Sequence, residues 1–225
     1  MNLQPIFRER PLRDGISDVL REQIVSGRLK PGQRLKEQEL CDELAVSRTA
    51  LREAFPRLEV ECLIINGRDG RTVVEVRPDH IRPLRDTTIA LSSLILQEFC
   101  KAAGKEGLTV LRDVIARAGP RPSRADERAV LTLLGCSCGN RFAAEMSRQL
   151  EDRREMIERF LIGDNEHPSG RREYLENLLI ALERQDCRAA IALRSKFLTA
   201  LFGRLEARLS VVQQPSPLQR LTTGG

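Results

Sequence analysis

The 225-residue chain contains no tryptophan, one tyrosine and two histidines, and aromatic residues make up only 4% of it. Strands favour aromatic and β-branched side chains, whereas the abundant Leu, Ala, Arg and Glu favour helices, which argues against an all-β architecture. No run of 18 apolar residues occurs, and the opening MNLQPIFRERPLRDG lacks the apolar stretch of a signal peptide. A membrane span and secretion both lose support, so a cytoplasmic protein with no membrane partner is expected. None of the six cysteines (Cys41, Cys62, Cys100, Cys136, Cys138, Cys187) pairs as CxxC, and reduced thiols are expected rather than a disulfide framework. No Ser/His/Asp set, phosphate loop or nucleotide fingerprint is present, so an enzyme is not expected.

What remains is enough for a folded protein of one or two domains. Hydrophobic residues are 41% of the chain and the formal net charge is +5. Residues 1–78 carry 14 Lys+Arg against 13 Asp+Glu, a net of +1, so composition alone advertises no polyanionic partner. A nucleic-acid reading must rest on where individual arginines fall.

Ile16, Val19, Leu20 and Ile24 lie on one face of a helix that begins near Asp14 or Ser17 and ends at Gly27. Lys30-Pro31-Gly32 reads as a turn. A short helix follows over Glu37–Leu44. Ser47 is placed to cap a third helix whose apolar stripe is Leu51, Ala54, Phe55 and Leu58. Two β-prone runs, 62–65 and 72–76, flank Asn66-Gly67-Arg68-Asp69-Gly70-Arg71, a hairpin with a basic, glycine-rich tip. Three helices and a hairpin in this order predict a winged helix-turn-helix.

The stretch SGRLKPGQRLKEQELCDELAVSRTALREAFPRLEVECLI with the closing GRTVVEV resembles the N-terminal domain of the GntR family of bacterial transcriptional regulators, over about residues 12–77. The resemblance implies a double-stranded DNA operator as partner, read by a homodimer whose association with the nucleoid follows from DNA binding. It also implies that Arg48 and Arg52 contact DNA from the recognition helix, with Ser47 and Thr49 on nearby phosphates or bases. Gln38 falls at a backbone-touching position, and Gly70 and Arg71 belong to the wing that approaches the minor groove. The side-chain chemistry agrees. Arg48 and Arg52 share a helix face, and a guanidinium can grip guanine O6 and N7 together, worth about 1–3 kcal/mol of discrimination.

The chain departs from that family's pattern at four places. Pro56 sits inside the third helix, where a missing N–H and a crowding ring cost about 3 kcal/mol, so a kink or an early end is expected. Cys62 stands where a glycine usually closes that helix and must take positive φ or reshape the cap. Lys36 replaces the small hydroxyl cap of the second helix, and Ala45 replaces a turn glycine. Pro56 and Cys62, together with metal ligands missing from the later helices, motivate a rival reading, a degenerate winged helix serving as a protein-interaction or non-specific DNA-binding module.

From residue 78 the pattern is helical throughout, with segments at about 81–103, 106–118, 124–137, 140–162, 170–184 and 187–209, and Pro83 in the first turn of the first of them. The fold class is thus mainly α: a winged helix-turn-helix with a small β-hairpin in residues 1–77, an antiparallel helical bundle in 78–210, and a tail in 211–225 expected to be disordered. The run Glu151-Asp152-Arg153-Arg154-Glu155 reads as a solvated helix face. Cys136 and Cys138, one residue apart, point in different directions on a helix and read as buried or half-buried structural thiols.

The bundle resembles the FCD (FadR C-terminal) effector-binding domain, through its helix count, CGN at 138–140 and ALERQDCRAA at 181–190. That resemblance implies a small-molecule effector pocket at Thr88, Ser92, Glu127, Leu131, Asn140, Leu175 and Phe197. Many FCD domains hold a divalent metal with one Asp and three His. Here the corresponding residues are Glu127, Leu131, Leu175 and Phe197, three of which have no lone pair, so the metal site is expected to be lost and no cofactor is expected. The two histidines, His80 and His167, are expected on the surface. An effector binding there would be more hydrophobic than a hydroxy-acid, or would bind without metal.

Overall fold

The computed structural model describes residues 12–102, 104–163 and 170–212. His167 and the tail from residue 213 lie outside them. The chain divides between Val76 and Arg77 into two compact units.

The first unit contains α1 (Leu12–Val25), α2 (Glu37–Leu44), α3 (Arg48–Val60), β1 (Ile64–Gly67) and β2 (Gly70–Val73). Helices α1 and α3 pack together, with Ile16, Leu20 and Ile24 of α1 and Leu51, Ala54, Phe55 and Leu58 of α3 all buried, while Val19 remains exposed. A two-pronged ion pair fastens α1 to the end of α3: Arg21 Nε and Nη2 each donate to a Glu61 oxygen at 2.7 Å. Ser17, fully buried, sets its hydroxyl 2.8 Å from the Arg13 carbonyl and 3.0 Å from that of Ala54.

Pro56 neither kinks α3 to a stop nor shortens it, for the helix runs on to Val60. The proline faces solvent, and burial of Leu51, Phe55 and Leu58, at about 1.5–3 kcal/mol each, outweighs its local cost. The motive that Pro56 gave for a degenerate recognition helix is thereby removed. Cys62 adopts φ 54°, while Leu63 N–H donates to the Leu58 carbonyl at 3.0 Å, so the thiol-bearing residue takes the left-handed closing position that glycine ordinarily fills. Replacing Cys62 with glycine is expected to stabilise this unit by about 1 kcal/mol, read as a raised midpoint in a circular-dichroism melt.

The hairpin is tighter than its glycines suggested. Asn66 pairs with Arg71 and Gly67 with Gly70, leaving a two-residue turn at Arg68-Asp69. Residues 32–35 add a partial third strand: Leu35 N–H donates to the Arg71 carbonyl at 2.8 Å and Val73 N–H to that of Gln33 at 2.9 Å. The turn at Lys30-Pro31-Gly32 therefore leads directly into the wing.

Among the described residues the second unit has six helices: α4 (Pro78–Ala102), α5 (Lys105–Arg117), α6 (Arg124–Ser137), α7 (Arg141–Ile162), α8 (Arg171–Glu183) and α9 (Cys187–Val212). Because α4 begins at Pro78, it is Pro78 rather than Pro83 that occupies its first position, and α9 extends two residues into the stretch expected to be tail. Helix α4 packs on α9, α7 and α6, and α8 on α9 and α5. Ile95, Leu96, Phe99, Leu111, Ile115, Val130, Leu134 and Leu178 form the apolar core. Ser123 and Asp126 form a reciprocal capping box on α6, and Asn140 caps α7 by accepting from Ala143 N–H at 3.0 Å. No described helix is long and apolar enough to cross a membrane.

Candidate nucleic-acid interface

Helix α3 starts where its cap demands. Ser47 has extended backbone angles and its hydroxyl accepts from Ala50 N–H at 3.1 Å, which satisfies one of the free donors of the first turn. Arg48, Thr49 and Arg52 follow on the exposed side of that helix. Neither arginine is turned inward, but neither is loose. Arg48 donates through Nη2 to Gln38 Oε1 on α2, and Gln38 in turn donates to Asp42 at 2.8 Å. Arg52 directs Nε and Nη2 at one oxygen of Glu37, at 2.9 and 2.8 Å. The hydrogen bond from Arg52, with the nearby charges of Arg52, Arg71 and Arg48, holds the Glu37 carboxyl below its ordinary range.

The wing is anchored to the same junction. Gly70 has φ 106°, a conformation that admits few side chains. Arg71 is half-buried. Its guanidinium lies 4.5 Å above the Phe55 ring, its Nε donates to Glu59 at 2.9 Å and its Nη1 to Glu37 at 3.3 Å. Of the residues that the sequence marks, Gln38, Ser47, Arg48, Thr49 and Arg52 thus lie together on α2 and the start of α3. Arg71 joins them as the brace between wing and recognition helix. Sequence reasoning missed Arg34, an exposed side chain that lies against the Gly70 backbone and has no carboxylate partner among the described residues. The signal was its place immediately after Pro31-Gly32-Gln33, visible only once residues 32–35 pair with β2. Between the start of α2 and the wing is a cleft of about 470 Å³, bordered by Arg34, Lys36, Glu37, Gln38 and Arg71.

The second unit holds a site of another kind. Glu127 on α6 is 0% exposed, and its oxygens receive Arg171 Nε and Arg194 Nη1, both at 2.9 Å, with Arg154 Nη2 at 3.6 Å. Arg154 and Arg194 each also hold Glu151 at 2.6 Å, and Arg154, Arg171 and Arg124 converge on Glu158. Burial would raise the Glu127 carboxyl, but the charges of Arg154, Arg194 and Arg171 outweigh it and bring it down to about 2. The run at 151–155 is therefore not a solvated face: Glu151, Asp152, Arg154 and Glu155 are buried, because α7 passes between helices that carry the opposite charges. Arg128 binds Asp152 and Glu155, and Arg148 and Arg159 complete the outer layer.

The positions that the FCD resemblance marks for an effector divide in two. Thr88 is buried and spends its hydroxyl on the Leu84 carbonyl at 2.7 Å. Leu175 is in the core, and Phe197 stacks on Tyr174 with ring centroids 4.3 Å apart. Ser92 and Leu131 border a void of about 10 Å³, room for a single water beside Tyr174 and Arg194. Leu131 and Asn140 also border an open cleft of about 610 Å³ between α6 and α7, together with Arg128, Cys136, Arg141 and Arg148. Cys136 is exposed and Cys138 buried, so only the second thiol is a core residue; its partner at 136 falls on the cleft side of α6. His80 lies within α4, half-buried, rather than on a linker.

A divalent metal does not fit the four marked positions. Leu131, Leu175 and Phe197 supply hydrocarbon, and every oxygen of Glu127 already faces guanidinium groups. Among the described residues no cluster of three or more His, Cys, Asp or Glu side chains could hold a metal ion.

Three helices, the third capped by Ser47 and presenting two arginines, and a hairpin form a winged helix-turn-helix, an arrangement common among DNA-binding proteins. Residues 12–74 match the family described as bacterial regulatory proteins, gntR family. An HTH-type transcriptional regulator, YdhC of Bacillus subtilis (strain 168), is 30% identical over 93 residues, 41% of this chain and 42% of that protein. The gluconate operon transcriptional repressor of Bacillus licheniformis is 29% identical over 96 residues, 43% of this chain and 40% of that protein. The matched stretch spans about two fifths of the length of these curated relatives. Among solved structures, McbR/YncC of E. coli superposes with a TM-score of 0.73 at 21% identity, covering 88% of this chain and 98% of that one. A GntR chain from Rhodococcus sp. RHA1 gives 0.70 at 18% identity, covering 86% and 96%. The architecture is mainly helical, a winged helix followed by a helical domain.

Proposed function

We propose that the protein is a sequence-specific transcriptional regulator, not an enzyme, which binds a double-stranded operator as a homodimer. The observation that carries this reading is the presentation of Arg48 and Arg52 outward from the first two turns of a Ser47-capped helix, with the wing braced beside it. One recognition helix spans only a few base pairs, so a dimer reading two half-sites about one helical turn apart supplies both affinity and symmetry. Arg34 and Lys36 add positive charge beside the wing for the phosphate backbone.

In the same reading the helical unit is an FCD-type domain whose metal site has been replaced, and an effector acts without metal. The cleft between α6 and α7 is its seat, where a ligand meets Leu131 and Ala144 beside Arg141, a cation with no carboxylate partner among the described residues. Ligand binding shifts operator affinity only if it favours one of two arrangements of the dimer.

The test is selection of duplexes from a random-sequence pool, followed by titration of the selected duplex at increasing salt. The expected result is a pseudo-palindromic consensus bound at least about 1,000-fold more tightly than random duplex of the same length. Equal affinity for both would instead favour the non-specific module. A thermal-shift screen of small metabolites with and without chelator tests the effector, and stabilisation that chelator abolishes would contradict metal-free binding.

A further inference from the structure

Resting on the DNA-binding reading above, we infer that Glu37 is a positioning residue that aims Arg52 at a guanine and withholds it from phosphates. A guanidinium has two in-plane edges that can each donate two hydrogen bonds. Glu37 Oε2 takes one entire edge, Nε at 2.9 Å and Nη2 at 2.8 Å. The other edge, Nη1 with the second proton of Nη2, is left outward on a side chain that is 62% exposed, and Nη1 has no partner among the described residues. Two parallel donors on an outward edge are what guanine O6 and N7 require.

Aim requires that Glu37 itself be fixed, and it is. Its side chain is 24% exposed at the start of α2, and its second oxygen receives Arg71 Nη1 at 3.3 Å. Arg71 is in turn held by Glu59 at 2.9 Å and by the Phe55 ring beneath it. The carboxylate therefore joins α2, α3 and the wing at one point. It also offsets part of the charge that Arg52 would otherwise offer to any phosphate, which lowers affinity for DNA of arbitrary sequence. Arg48, bonded to the neutral Gln38, has no such restraint on its charge.

The experiment compares wild type, E37A, E37Q and R52K on the duplex that wild type selects from a random pool, on single-base variants of that duplex, and on random duplex of equal length. E37A is expected to lose about tenfold or more of the discrimination at one guanine per half-site while binding random duplex more tightly. Its salt dependence on random duplex steepens by about one unit of slope per protomer, as a released cation contributes one more phosphate contact. E37Q keeps an acceptor without the charge and shows the same changes at smaller size. R52K, which can pair with Glu37 but has no second edge, loses discrimination at that same guanine and at no other. Folded Glu37 variants that keep wild-type discrimination at every base pair overturn the inference, as do variants that are both unfolded at the assay temperature. If wild type itself selects no sequence, the DNA-binding reading falls and this inference with it.

Discussion

Truncating Glu127 to alanine is expected to destabilise the helical unit by about 3–5 kcal/mol, because it leaves the guanidinium groups of Arg154, Arg171 and Arg194 buried around a missing charge. Four buried arginines, Arg124, Arg154, Arg171 and Arg194, face three buried carboxylates, Glu127, Glu151 and Glu158, so the cluster already carries an excess of one positive charge. Removing Glu127 raises that excess to two, and the neighbouring buried carboxylates Asp152 and Glu155 are already engaged by Arg128, Arg148 and Arg159. Circular dichroism at 222 nm against urea measures the effect, and a loss below 1 kcal/mol would contradict the assignment of Glu127 as the hub. Glu127 also ties the stability of the helical unit to pH. The folded Glu127 carboxyl is held down to about 2 against an ordinary 4.5, so its contribution is fully present above about pH 4.5 and is lost as the pH falls toward 2. Stability measured from pH 7 to pH 2 should therefore decline steeply in that acid window for wild type and much less for E127A.

The second large effect is expected at the recognition helix. Arg48→Ala and Arg52→Ala should each weaken binding to the selected duplex by about 1–3 kcal/mol, roughly 5- to 150-fold, with each variant relaxing the preference at a different base pair. Both side chains are exposed, so neither substitution should lower the melting temperature appreciably. Thr49, exposed beside them, should show a smaller loss. Arg71→Ala should behave differently. It removes the Phe55 stacking contact and two ion pairs, so it loosens the wing and lowers stability together with affinity.

The helices of both units were legible because their apolar residues repeat with helical period and their ends carry local signals. Ser47 caps α3 as its position predicts, whereas the caps of α6 and α7, Ser123 and Asn140, emerge only in the structure. The hairpin was legible in kind but not in length. Gly67 and Gly70 look like loop residues, yet they pair with one another in the ladder. The strand-like pairing of residues 32–35 left no trace in the pattern, since its partner is β2, nearly forty residues away. Pro56 misled because a local penalty was weighed without the packing of Leu51, Phe55 and Leu58 on the opposite face of the same helix.

The ionic core of the second unit was the least legible part. Glu151, Arg154 and Glu158 share a helix face by their spacing, which was available in the sequence, but alternating charge is ordinarily a mark of solvent. What buries them is the arrival of Glu127, Arg171 and Arg194 from three other helices, a balance assembled only in three dimensions. The residues marked for an effector are parted for a related reason, with Leu131 and Asn140 on the open cleft and Leu175 and Phe197 inside. Leu175 and Phe197 close the interior with apolar contact, and the open volume lies instead between α6 and α7.

Protection of guanine N7 from dimethyl sulfate on the selected duplex addresses the reading of bases by Arg48 and Arg52 directly, because N7 lies in the major groove where a bidentate guanidinium would cover it. Wild-type protein should shield discrete guanines related by two-fold symmetry, with one set exposed again in Arg48→Ala and a different set in Arg52→Ala. Guanines left unprotected by wild type, or a protection pattern unchanged in both variants, would contradict it.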